Sequence, residues 1–142
     1  MNRERLRTYA DALRDIPGLT VVSHDAAERS NFQYVVVEVD ADRFGIDRDQ
    51  LVRLLHAERV LARRYFYPGC HAMEPYRTRD PLAGRHLPHT ERLCARVMTL
   101  PNGTSVELRD IAAIASLLRF CAANAAAIRA RLSEPVAGGA SR

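Results

Sequence analysis

The sequence predicts an α+β domain in which a small sheet of about two to four strands is covered by helices. Three observations carry this. Apolar residues recur at helical spacing in residues 3–15, 47–56 and from 104 onward. Short β-rich runs stand at residues 19–22, 32–39 and 59–66. The connections between these runs pass through helices and lack hairpin signals, which suits helices packed on one face of a sheet.

Taken in order, Leu6, Tyr9, Ala10 and Leu13 fall at i, i+3, i+4 and i+7, the stripe of an amphipathic helix. Pro17 and Gly18 stop it. Residues 19–22 form a short strand candidate, and residues 23–30 are polar and loop-like. Residues 32–39 give the strongest strand signal, and Val35, Val36 and Val37 mark a strand covered on at least one face. Asp47, with Gln50 three residues on and Leu51, Leu54 and Leu55 behind it, matches a capping-box start for a helix through His56.

Residues 59–66 then read as a returning strand. Between Tyr67 and His89, Pro68, Pro75, Pro81 and Pro88 with Gly69 and Gly84 exclude regular structure, and loops of this length in a compact domain are usually functional or mobile. Thr90 can cap a short helix carrying Leu93, Cys94 and Val97, before a turn at Pro101-Asn102-Gly103. Thr104 with Glu107 opens the longest helix, where Leu108, Ile111, Ala115 and Leu118 share a face widened by Ile114, Leu117 and Cys121, and which runs to Leu132. Residues 133–142 are small, polar and Gly-rich, and are expected to be a disordered tail after a single domain over 1–132. Pattern alone leaves the strand polarity open.

Composition narrows the classes of function. The 142 residues are 47% hydrophobic and 27% charged, with no apolar run near the roughly 20 residues that cross a bilayer. Residues 1–7 lead into no apolar core of signal-peptide type. A soluble, cytoplasmic protein is expected, with no membrane partner. Cys70, Cys94 and Cys121 are odd in number and form no CxxC pair, as suits reduced thiols. The net charge of +4 comes with 17 acidic residues interspersed among the basic ones and no aromatic-glycine RNA-binding motif, so no nucleic-acid partner is expected. All 21 basic residues are arginine; there is no lysine.

Single residues carry bland readings first. His71 alone is a hydrogen-bonded loop histidine. Tyr65 and Tyr67 alternate along a strand end, so one packs in the core and the other, assigned as Tyr67, points toward solvent or a site. His86 and His89 with Cys70 and His71 do not make a zinc site, because a proline-interrupted HxxH offers no helix face on which both imidazoles converge. Cys70 has only the adjacent His71 near it in sequence, and adjacent side chains usually diverge, so it is no activated nucleophile. Glu107, Arg109 and Asp110 read as helix-surface charges.

The order and spacing of Asn31-Phe32-Gln33-Tyr34-Val35-Val36-Val37, Arg63-Arg64-Tyr65-Phe66-Tyr67-Pro68-Gly69-Cys70-His71, Pro75-Tyr76 and Leu87-Pro88-His89-Thr90-Glu91-Arg92-Leu93 resemble the DegT/DnrJ/EryC1/StrS family. The resemblance covers nearly all of residues 2–132 and is to the C-terminal small domain of those enzymes. It implies a mostly antiparallel sheet, as in the C-terminal domain of fold-type-I aminotransferases. It further implies part of a transaminase, dependent on pyridoxal phosphate (PLP), that acts on a nucleotide-linked 4-keto or 3-keto deoxysugar in amino-sugar biosynthesis. The partners implied are a large PLP-binding domain, the nucleotide-sugar substrate, and a second copy in a full-length homodimer. The lysine that holds PLP as a Schiff base belongs to the large domain. This lysine-free chain is therefore expected to hold no cofactor covalently and to be inactive alone, with no catalytic, cofactor-binding or metal-binding residue of its own.

Residue by residue, the resemblance makes Tyr67 and His71 the sugar-facing pair. Arg64, with Arg63 before it, offers a guanidinium fork suited to a diphosphate or carboxylate. Gly69-Cys70 departs from the commoner proline-leucine of the family loop, and the backbone freedom of Gly69 is expected to alter its path. The competing class is a non-catalytic remnant or interaction module that pairs with a full-length aminotransferase through an apolar patch.

Overall fold

Alternation builds the centre of the molecule. In the computed structural model, which describes residues 2–25, 27 and 29–133, strand β2 (Val35–Val39) turns Val35, Val37 and Val39 into the core. Val36 and Glu38 sit half-buried on the opposite face, the two-residue period of a strand. Strands β1 (Leu19–Val21), β3 (Arg63–Arg64) and β4 (Val97–Leu100) complete a sheet of order β1-β2-β4-β3 in which every pairing is antiparallel. The register sets Val35 opposite Leu100 and Val37 opposite Met98, so all four side chains share the core face. An α+β fold with a mostly antiparallel sheet, as expected, is what the chain forms.

Helix α1 (Asn2–Leu13) buries Leu6, Tyr9 and Leu13, the stripe read from the sequence. It packs on α6 (Leu108–Ala123), which buries Ile111, Ile114, Ala115, Leu118 and Cys121. Helix α3 (Arg48–Ala57) starts on its capping box: Gln50 N donates to Asp47 Oδ1 at 2.8 Å and Asp47 N donates to Gln50 Oε1 at 3.0 Å. One unforeseen turn, α2 (Ala41–Phe44), is capped by Asp40. It packs onto the turn after α1, where Gly18 holds φ 76° and a Cβ would stand 2.4 Å from Phe44 N.

The structure corrects the sequence reading at five places. Of residues 59–66 only two pair as strand; Arg59 has φ 61°, and Val60 N bonds back to Leu55 O at 2.8 Å, so the run mostly closes α3. Val97, read as helix, begins β4, whose four residues are all buried and so lack the alternation that would announce a strand. The proline-rich segment holds regular turns after all: 3₁₀ turns at Cys70–Ala72 and Ala83–His86, and α4 (Tyr76–Arg79) between them. Helix α5 (Pro88–Arg96) opens on Pro88, whose missing N–H costs nothing at a first helical position, and not on Thr90.

The fifth concerns the long helix. It starts at Leu108, with Glu107 N bonded to Asp110 Oδ2 at 2.9 Å, so Thr104 caps nothing. It also bends by 76° between Ala123 and Ala125 into α7 (Ala125–Ser133). There the Asn124 side chain donates to Phe120 O at 2.9 Å and competes with helix continuation. Ser133, assigned to the tail, closes α7; the rest of the expected tail lies outside the described residues. No single described helix is long and apolar enough to cross a membrane.

Tyr9 ties α1 to the turn after β4, its hydroxyl donating to Pro101 O at 2.9 Å. Burial, and then the charge of Asp110, push its pKa well above the ordinary 10.0. A raised folded pKa gives stability that is whole below pH 10.0 and drains as the unfolded chain ionises above it. Denaturant melts between pH 8 and 12 are expected to show this alkaline loss. Tyr9→Phe should cost about 1 kcal/mol at neutral pH and flatten the alkaline slope; an unchanged slope would contradict the assignment.

Candidate functional site

The site is built around an arginine that the sequence reading passed over. Arg48, the first residue of α3, is 1% exposed. Its Nη2 donates to Cys94 O at 2.7 Å, its Nη1 to Val97 O, and its Nε to Asp49 Oδ1 at 2.7 Å. One guanidinium thus fastens the start of α3 to the junction of α5 and β4. Its carbon also lies 5.6 Å from the centroid of the Tyr67 ring.

Arg64 approaches the same ring, its guanidinium carbon 4.1 Å from the centroid, in the contact range of a cation–π pair. Arg64 Nε is 4.0 Å from Asp49 Oδ1, the carboxylate that also holds Arg48. Arg48, Asp49, Arg64 and Tyr67 therefore form one cluster. It borders a hollow of about 340 Å³ whose wall includes Val52, His56, Leu61 and Ala62. Nothing in the sequence pointed to Arg48, because the carbonyls it serves lie far along the chain.

His71 lies elsewhere. Its Nε2 is hydrogen-bonded to Glu91 Oε1 on α5, and its side chain is 11% exposed. With Cys70, Tyr76, Arg79, Asp80 and Ala83 it lines a second hollow of about 360 Å³. The structure brings Tyr67 and Arg64 together and sets His71 in a separate hollow.

Gly69 works differently from the expectation. Its φ of −56° is open to any residue, so backbone freedom is not what the position uses. A Cβ there would stand 2.5 Å from His71 Cε1 and 3.1 Å from Cys94 Sγ. The glycine leaves room for the imidazole. Tyr65, expected to alternate into the core or out, is half-buried against Tyr34 and Phe66, because Phe66 at φ 55° breaks the strand's alternation. Among the described residues no three His, Cys, Asp or Glu side chains gather to hold a metal ion.

An antiparallel α+β domain with an Arg/Tyr-lined hollow beside a Gly-Cys-His loop defines a class that comparison with known proteins resolves. The DegT/DnrJ/EryC1/StrS aminotransferase family matches residues 1–119, and the chain belongs to that family. It is 31% identical over 110 residues to the dTDP-4-amino-4,6-dideoxy-D-glucose transaminase of Escherichia coli, covering 78% of this chain and 29% of that enzyme. Superposed on the crystal structure of DesI with its TDP-sugar product, it gives a TM-score of 0.82 at 43% identity, over 94% of this chain and 33% of DesI. A DegT DnrJ EryC1 StrS aminotransferase from Brucella abortus shares the fold, with a TM-score of 0.65 at 24% identity, over 84% of this chain and 30% of that one. The chain thus spans about a third of the length of the relatives it matches.

The family implies PLP, and with no lysine among the 142 residues no side chain here can hold that cofactor as a Schiff base.

Proposed function

We propose that this chain is the C-terminal small domain of a PLP-dependent aminotransferase that aminates a nucleotide-linked keto-deoxysugar, and that it is inactive without a lysine-bearing large domain. The likeness to DesI, at 43% identity over 94% of this chain, carries the reading. The site agrees with it chemically. Arg64 is held by the Tyr67 ring on one side and by Asp49 on another, which orders its remaining N–H donors for a phosphate or carboxylate. Tyr67, exposed beside it, is placed to donate to a sugar oxygen, and His71 lines the second hollow.

An assay of the purified chain with PLP, glutamate and a nucleotide keto-deoxysugar checks the isolated state. No amino sugar is expected, and product formed without another polypeptide would refute the assignment. The exposed Leu61, beside an apolar groove of about 500 Å³ that reaches Leu117, favours the second reading, an interaction module that pairs with a full-length aminotransferase. Sedimentation of the chain with and without such an enzyme separates the two, since only the second predicts a stable complex with an enzyme that already has its own small domain.

A further inference from the structure

We propose that Tyr34, Tyr65 and Phe66 form a stacking ledge for the base of a nucleoside diphosphate. The proposal rests on the nucleotide-sugar reading and assigns the part of that substrate farthest from the reacting carbon. Tyr65 stands 5.5 Å from Tyr34 and 4.0 Å from Phe66, centroid to centroid, at tilts of 38° and 40°, so the three rings pack as one aromatic cluster. Packing does not explain it: Tyr34 is 50% exposed and Phe66 64% exposed.

The ledge is held at a cost. Phe66 has φ 55°, a left-handed conformation unfavourable for a bulky residue and found where surrounding structure enforces it. Two bonds enforce it here. Tyr65 N donates to Val97 O at 3.2 Å, and Cys94 Sγ to Phe66 O at 3.1 Å. On the other side Asn102 Nδ2 donates to Phe32 O at 2.7 Å and to Gln33 O at 3.3 Å, fixing the chain just before Tyr34. A strained backbone that turns an aromatic ring into solvent points to something the ring meets.

The surroundings favour a nucleotide over a protein face. Arg63 sits opposite Thr99, itself opposite Val36, so the pleat puts Arg63 on the sheet face away from the core. Arg64 follows it beside Tyr67. Arg64, opposite Met98, leaves the other face of this edge strand, so segment 63–67 carries one guanidinium on each face beside the rings, and a nucleoside diphosphate calls for both elements: a cation for its phosphates and an aromatic face for the base. Glu38 on β2 pairs with Arg96 at the end of α5 at 3.8 Å, and both side chains are only partly covered.

Ring resonances of the 142-residue chain, followed by NMR during titration with thymidine 5′-diphosphate, thymidine and inorganic pyrophosphate, test the ledge. The nucleotide and the nucleoside are expected to shift Tyr34, Tyr65 and Phe66, whereas pyrophosphate perturbs Tyr67 and leaves those rings unmoved. Phe66→Ala should weaken thymidine 5′-diphosphate binding about tenfold. Because that variant still holds a non-glycine residue at φ 55°, Tyr34→Ala, on a separate segment, is the second arm and should produce a similar loss. If the nucleotide shifts Tyr67 but not the ledge, or binds both variants as it binds the wild type, the ledge is overturned and the nucleotide-sugar reading stands. If neither the nucleotide nor pyrophosphate perturbs any of these residues, both fall.

Discussion

Replacing Arg48 with alanine is expected to destabilise the chain by about 3 kcal/mol or more. The side chain is 1% exposed and donates to the carbonyls of Cys94 and Val97, which its removal leaves buried without those donors. Asp49 loses its nearer cationic partner as well. Arg48→Met separates packing from bonding: it keeps most of the apolar stem and none of the donors, and should lose nearly as much as alanine. Arg48→Lys should fall between, because one ammonium cannot reproduce the planar fork that serves two carbonyls and a carboxylate. Urea unfolding of the three variants measures this; a loss below about 1 kcal/mol for alanine would show that the bonds carry little. Tyr67 should lose order in step with stability, since Arg48 forms one side of its surroundings.

The second large effect falls on the loop, with the fold largely spared. Alanine adopts the backbone of Gly69, φ −56° and ψ 155°, without strain, so Gly69→Ala acts through space alone. The added methyl would meet His71 Cε1 at 2.5 Å and Nδ1 at 2.8 Å, inside contact distance, and the imidazole must leave Glu91. The loss of stability should stay at about 1–2 kcal/mol, while the His71 ring resonances move and kcat/KM of an assembled enzyme drops at least tenfold. Gly103→Ala is the control, because its new methyl finds only Ser105 Oγ, at 3.8 Å. A Gly69→Ala chain with His71 resonances like the wild type would show that the imidazole can be accommodated another way.

What was legible in the sequence was local. The capping box of Asp47 and Gln50 and the stripe Leu6, Tyr9, Leu13 depend on neighbours within two turns, and both are present in the structure. Strand β4 was missed because burial on both faces erases the alternation that reveals a strand. Prolines were read as breakers throughout, yet Pro88 opens a helix, a role that depends on where its absent N–H falls. Arg48 was invisible for a different reason: the carbonyls it serves lie 46 and 49 residues away, and no spacing rule reaches that far. The resemblance singled out Tyr67 and His71, and guanidinium chemistry Arg64, but only the fold shows that His71 faces a different hollow from the other two.

The most direct test of the central claim is the turnover of a chimera in which this chain replaces the matching third of DesI. The two share 43% identity and a TM-score of 0.82 over 94% of this chain, so the exchange keeps the fold of that third. With PLP, glutamate and a TDP-linked keto-deoxysugar, the chimera is expected to form the amino sugar and the 142-residue chain alone to form none. A folded chimera that takes up PLP yet transfers no amino group, or turnover by the lysine-free chain itself, would contradict the account.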